Sequence, residues 1–299
     1  MFKRKNKTKG EYIFGIVNNV FMLLILVVML YPVINQLAVS LSSNSAVMSG
    51  HVSIIPKDLN FNAYLEILSD KNFLTAIKNS ALFTVMNTVI GMTLTAVFAY
   101  PLSKKHIKGR NTIMALLVFS MMFGTGGLIP NYLLMRSLKL VNTFWALTLP
   151  SAISIWNVIV LKNFYQQIPA SLEESATVDG ASPIIIFIKI ILPLAVPSIA
   201  ALTMFVAISS WNTFFNAIIY LTTPSKKMLQ VYLRDIIQVN LTPTGDSGLM
   251  DAVGMEDKTI NPDTIKAAAL LCSTIPVMLV YPFVQKYFMA GLLVGSVKG

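Results

Sequence analysis

The sequence predicts an all-α polytopic membrane protein with six transmembrane helices, and three observations carry that reading. The 299-residue chain is 55% hydrophobic and 12% charged, with a mean hydropathy of +0.68; a soluble domain is about half apolar and a quarter charged. Several nearly uncharged runs reach the roughly 20 apolar residues that a helix needs to cross about 30 Å of hydrocarbon. The basic residues are gathered in short segments between those runs. The formal net charge of +10 therefore follows membrane topology, and neither a continuous basic patch nor nucleic-acid binding is implied.

The expected crossings are about 13–38, 74–102, 112–135, 144–166, 190–219 and 264–286 within a single transmembrane domain, 1–299. The first follows Lys3, Arg4, Lys5, Lys7 and Lys9. Such a start resembles a signal peptide, but the apolar run is longer than a usual signal core and no small-residue cleavage site follows at once, so an uncleaved span is expected. Six crossings place both termini on one side, together with the short loop of Lys104, Lys105, Lys108 and Arg110, the loop around Glu174, and Lys298. The positive-inside rule makes that side cytoplasmic. The opposite side receives segments near 39–73, 136–143 and 220–263. The last carries Asp235, Asp246, Asp251, Glu256, Asp257 and Asp263 among the turn formers Pro243, Gly245 and Gly248.

No Asp or Glu falls inside an expected span, which argues against a proton- or sodium-coupled carrier, since intramembrane carboxylates mark such paths. Lys78, Lys162, Lys189 and Lys266 lie near span ends, where their ammonium groups can reach the interface. The lone Cys272 excludes an internal disulfide framework and a CxxC site, and His51 and His106 alone make a histidine-built metal centre unexpected. There is no HExxH, no GxSxG and no Walker A loop, so neither intramembrane hydrolysis nor ATP hydrolysis is expected of this chain. No cofactor, metal or catalytic residue is assigned.

Between spans four and five, the segment 168–193 carries the most specific pattern. Pro169 suits a first helical turn, Gly180 a left-handed helix end, and Ser182-Pro183 an N-cap with proline at N1. The expected product is a short helix, a glycine turn and a second helix entering span five. Ser175, Ala176 and Gly180 are small enough for a partner to approach closely, and Glu173, Glu174 and Asp179 offer charge to a basic partner.

Glu174-Ser175-Ala176, Gly180, Ile190, Leu192 and Pro193 together resemble the EAA loop of bacterial ABC-importer permeases, with Ser175 where that motif often has Ala. The resemblance extends to Ser210-Trp211-Asn212-Thr213-Phe214 and to the C-terminal run from Ala290 to Gly299, and identifies the maltose-transporter G-subunit-like carbohydrate permeases. It implies a type I ABC importer permease fold with a cytoplasmic coupling helix. It also implies a second homologous permease subunit, two ATPase subunits that bind ATP and Mg, and an extracytoplasmic solute-binding protein that delivers sugar. Glu174 is then expected to meet a basic residue of the ATPase, and Gly295, Ser296, Val297, Lys298 and Gly299 to reach the ATPase dimer. Gly291, Gly295 and Gly299 also stand at the spacing of a helix-dimer face, but a glycine-rich terminus is poor helix and the family ending accounts for them.

A sugar presents hydroxyls and apolar C–H faces, so its path needs uncharged hydrogen-bonding groups beside aromatic rings. Asn131, Tyr132, Trp156, Asn157, Trp211, Asn212 and Asn216 are the candidates. The expected cargo is an oligosaccharide larger than a disaccharide, neutral or weakly charged, entering from a binding protein docked on the outer loops; a peptide or polyamine permease is the alternative.

Overall fold

The computed structural model describes residues 9–123, 126–239 and 261–296. Among the described residues there is no β-strand. The N-terminal residues Lys3 to Lys7, the acidic residues Asp246, Asp251, Glu256 and Asp257, and the terminal Val297, Lys298 and Gly299 lie outside the described residues. The chain forms two compact units, Met1–Asp70 with Ile236–Ser273, and Lys71–Asp235 with Thr274–Gly299.

The first unit is built on α1 (Lys9–Ser40), which at 1.5 Å per residue extends roughly 48 Å, ample to cross a bilayer. Its apolar side chains are exposed around the whole circumference, Phe14, Leu23 and Met29 among them, as suits a helix in lipid. Hydrogen bonds anchor its C-terminal end. The Ser42 hydroxyl donates to Ala38 O at 2.6 Å and accepts from Lys57 N at 3.0 Å, the Ser40 and Tyr64 hydroxyls lie 2.7 Å apart, and Asn35 Nδ2 donates to Ser53 O at 2.8 Å. The following segment is thereby ordered into the short helices α2 (Asn44–Met48) and α3 (Asn62–Ser69). Asn44 Oδ1 accepts from Asn261 N at 3.1 Å and Thr264 Oγ1 at 3.3 Å, fixing the start of the last helix, Pro262–Ser296.

The second unit is organised by α4 (Lys71–Ser103), along which α8 (Ile155–Tyr165) and α11 (Val196–Trp211) pack. Its sequence explains that role. Asn87, Gly91, Thr95, Ala99 and Ser103 recur at every fourth residue and are all buried, a stripe of small side chains that lets helix backbones approach closely. At Gly91 a Cβ would stand 3.3 Å from Ala152 O.

Around α4 the crossings expected near 112–135, 144–166 and 190–219 are bent rather than straight. Arg110–Phe123 (α5) and Leu128–Ser137 (α6) meet at 111°, next to Gly126 and Gly127, whose φ values of 76° and 88° lie where other residues are strained. Trp145–Ser151 (α7) and α8 meet at 49°, where Ser154 Oγ caps the new helix by accepting from Asn157 N. Pro183–Leu194 (α10) and α11 meet at 77°. There Pro193 and Pro197 remove backbone donors and a π turn occupies Phe187–Ile191. Lys9–Ser40, Lys71–Ser103 and Pro262–Pro282 are each long and apolar enough to cross a membrane, and the three bent pairs raise the total to six if each makes one crossing.

Among the described residues, two apolar clusters lie along α4. One gathers Phe83 with Met135, Leu147, Tyr220 and Met228; the other gathers Met92, Ala96 and Ala99 with Leu161, Tyr165, Ile191 and Leu202. Between Phe83 and Met92 on this helix stands Asn87.

Candidate translocation cavity and coupling surface

A cavity of about 690 Å³ opens at the level of Asn87. Its wall comes from α4, α6, α7, α8, α11 and the short α12 (Phe215–Tyr220). Asn87 is the hub of the polar wall: its Nδ2 donates to Ser210 Oγ at 2.8 Å and its Oδ1 accepts from Ser151 Oγ at 3.1 Å. Ser210 also donates to Val206 O at 2.8 Å, and the single Ser151 hydroxyl hydrogen is shared between Asn87 Oδ1 and Leu147 O, the latter at 2.8 Å. Ser154, Ser209 and Asn157 extend the polar lining, and Phe205, Phe215 and Tyr220 supply rings. Among the described residues no charged side chain belongs to the wall. Such a surface can exchange its internal hydrogen bonds for a ligand's hydroxyls and cover C–H faces with aromatic rings.

Of the residues expected on a substrate path, Asn131, Asn157 and Asn216 line the cavity. Tyr132 stands behind it, its ring stacked on Tyr220 at 6.1 Å. The others fall elsewhere. Trp156 points outward, 63% exposed, and Trp211 is buried beside an apolar groove with Ala81, Met204 and Pro276. Asn212 ends α11, donating to Ile208 O at 3.0 Å and accepting from Gln230 Nε2 at 3.2 Å. Asn87, Ser151 and Ser210 are absent from the sequence-based set; the fourfold spacing of small residues on α4 is the signal that points to Asn87.

At the other end of the second unit, α9 (Ala170–Val178) is preceded by Pro169 and ended by Gly180 at φ 81°. Ala181 N donates to Ala176 O at 2.9 Å and Gly180 N to Thr177 O at 3.0 Å, which closes the helix end as left-handed glycine termini do. Ser182 Oγ then accepts from Ile185 N, with Pro183 at N1 of α10. The turn is exposed on its outer side: Glu174, Ser175, Asp179 and Gly180 face out and Val178 is 88% exposed. Its inner side is packed, since Ala176, Ile190 and Leu192 rest against the core of Tyr165 and Ile191. Pro193 is exposed. The carboxylate of Glu173, unlike that of Glu174, turns back and pairs with Lys104, and both line an open groove of about 830 Å³ with His106, Gln167 and Thr177. Gly295 and Ser296 are the last described residues of the C-terminal helix.

Among the described residues no three His, Cys, Asp or Glu side chains gather as a metal ion would require.

A bent-helix membrane unit with an uncharged cavity at one level and an exposed glycine turn at another has the form of a transport permease. The chain belongs to the family described as "Binding-protein-dependent transport system inner membrane component", which it matches over residues 82–293, and it is accordingly a multi-pass protein of the cell membrane. It is 41% identical over 295 residues to the polygalacturonan/rhamnogalacturonan transport system permease protein YtcP of Bacillus subtilis (strain 168), covering 99% of this chain and 100% of that one. Protein LplC of the same organism is 40% identical over 295 residues, 98% of each chain. Among solved structures, a bacterial ABC transporter involved in the import of the acidic polysaccharide alginate matches with a TM-score of 0.86 and 36% identity, over 95% of this chain and 99% of that chain. The Glu174 segment is consistent with the EAA motif and coupling helix of this family.

Proposed function

We propose that this chain is one of two permease subunits of an ATP-driven importer of oligosaccharides. An extracytoplasmic binding protein delivers the sugar; this chain and a homologous second subunit pass it inward by alternating access. Two separate ATPase subunits carry ATP and Mg and drive the cycle. The observation that carries the sugar reading is the cavity wall, in which amides, hydroxyls and aromatic rings surround about 690 Å³ without one charged group. That volume falls within the roughly 300–1,000 Å³ of small-molecule sites. A polyamine would find no carboxylate there to balance its charge.

The YtcP relative is a polygalacturonan/rhamnogalacturonan transport permease, and the 36%-identical transporter imports an acidic polysaccharide. Charge on the cargo is therefore compatible with this reading: asparagine amides can donate to a carboxylate as well as to a hydroxyl. Neutral or weakly charged cargo remains the simplest match to the wall itself.

The proposed orientation has six crossings with both termini cytoplasmic, α9 and its glycine turn toward an ATPase, and the tail from Gly295 to Gly299 reaching the ATPase dimer. Two ties support it. The Lys104–Glu173 pair brings the basic loop and α9 together, as a shared side would require. At the opposite end of α4, Asn79 Nδ2 donates to Ser225 O and Lys227 O, both at 3.0 Å, and Ser80 Oγ accepts from Leu229 N at 2.8 Å, holding the first part of the expected outer segment 220–263. Single cysteines near Lys108 and near Asp251 should label from opposite sides of the membrane.

Uptake of labelled oligosaccharides by cells lacking the gene, compared with complemented cells, tests the cargo. Loss of peptide or amino-acid import with every tested oligosaccharide still taken up would overturn the sugar reading.

A further inference from the structure

Glu173 and Glu174 are adjacent on α9, so their side chains leave the helix about 100° apart. Their surroundings differ accordingly. Glu174 is exposed, whereas the Glu173 side chain is 19% exposed and paired with Lys104, itself 17% exposed. Lys104 is the first residue after α4, and its ammonium lies 4.6 Å from the centre of the Tyr100 ring. Tyr100 in turn packs on Phe187 of α10 at 4.8 Å and edge-on against Tyr165 of α8 at 6.3 Å. The last carbonyls of α4, which no helical donor can reach, are held from outside: Arg110 Nε donates to Leu102 O at 2.7 Å and Gln166 Nε2 to Ser103 O at 3.1 Å. The lower end of α4 is thus fastened to α5, α8, α9 and α10 together. Seventeen residues up the same helix, Asn87 forms the hub of the cavity, a rise of roughly 25 Å.

We propose that Glu173 is a positioning residue that yokes α9 to α4 through Lys104, so that a displacement of the glycine turn reaches Asn87 along one continuous helix. Glu174 is then the carboxylate left for a partner subunit. The proposal rests on the reading of α9 as the ATPase-facing helix. The physical basis is the difference between the two kinds of contact. The small apolar faces of Ala176 and Ala181 can slide on the core beneath them, while an ion pair shielded by an aromatic ring is lost when either partner moves or is neutralised.

The test is sugar transported per ATP hydrolysed, in proteoliposomes holding the complete complex with its binding protein. Lys104→Glu and Glu173→Lys, each alone, should lower that ratio by about fivefold or more while the ATPase still co-purifies, and the double charge swap should restore it to within about twofold, as expected for directly coupled residues. Lys104→Arg should retain the ratio. If the reversals fail to insert, Lys104→Met and Glu173→Gln carry the same expectation, with each neutral variant as low as the pair. Glu174→Ala separates the two ideas. If it uncouples transport while every Lys104 and Glu173 variant keeps the wild-type ratio, or if the swap is no better than either single reversal, the yoke is wrong and the coupling surface stands. If Glu174→Ala and Gly180→Leu both transport normally with the ATPase bound, the coupling surface is wrong and the yoke falls with it.

Discussion

In the cavity, Asn87, Ser151 and Ser210 bond to one another and to their own helices, and no charged side chain lines the wall. At the surface formed by α9, Glu174 and Asp179 stand exposed beside an exposed Val178, and the Glu173 charge is neutralised by Lys104 from a loop 69 residues away. Both regions belong to the second unit and both lean on α4. Under the proposed function, the difference follows from what each would meet. A wall that passes hydroxylated cargo needs groups whose hydrogen bonds can be exchanged at little cost, since a buried charge would have to be paired at every stage of passage. A surface that receives a protein partner gains from fixed backbone shape and from charges that only the right partner satisfies.

The sharpest way to break this comparison is at Gly180. A leucine there must adopt a left-handed backbone at a cost of roughly 1–2 kcal/mol, and the turn offers no alternative path into Ser182. Coupled uptake should fall by about tenfold or more, read as uptake against ATPase activity in proteoliposomes; normal uptake would remove the coupling surface from consideration. At the cavity, Asn87→Ala removes the amide that joins Ser151 and Ser210 across three helices and leaves each hydroxyl only its bond to its own helix. Uptake should drop several-fold with the ATPase still bound. If ATPase association weakens equally, the two regions are not separable.

A smaller effect is expected between them. Gly91→Val would press a branched side chain toward Ala152 O, where even a Cβ stands at 3.3 Å, and overpacking of this kind costs about 1–3 kcal/mol. The purified protein should melt at lower temperature while the substrate range is unchanged. Smallest is removal of the tail from Gly295 onward, which should reduce ATP-driven uptake and leave insertion intact.

Legibility in the sequence divides along the same line. The glycine turn could be read residue by residue because its determinants are local: a left-handed Gly180, a Ser182 cap and Pro183 at the first helical position all act within a few residues. The cavity could be read only in part. Asn131, Asn157 and Asn216 attract attention as amides in apolar surroundings, but Asn212 shares that description and lies outside the wall. What sorts them is where Gly126-Gly127, Pro193 and Pro197 bend the chain, and a bend angle is set by packing across the unit. The Lys104–Glu173 pair joins two segments whose relation is purely tertiary, so Glu173 reads in sequence as a second carboxylate for a partner.

The uncharged wall has an electrical consequence. A group that carries charge across the membrane field contributes about 2.3 kcal/mol per elementary charge per 100 mV, and the side chains around Asn87 contribute none of it. If this wall is the path proposed above, its rearrangement moves no side-chain charge through the membrane field. A voltage dependence of import would then enter through the cargo or through charged groups elsewhere in the assembly.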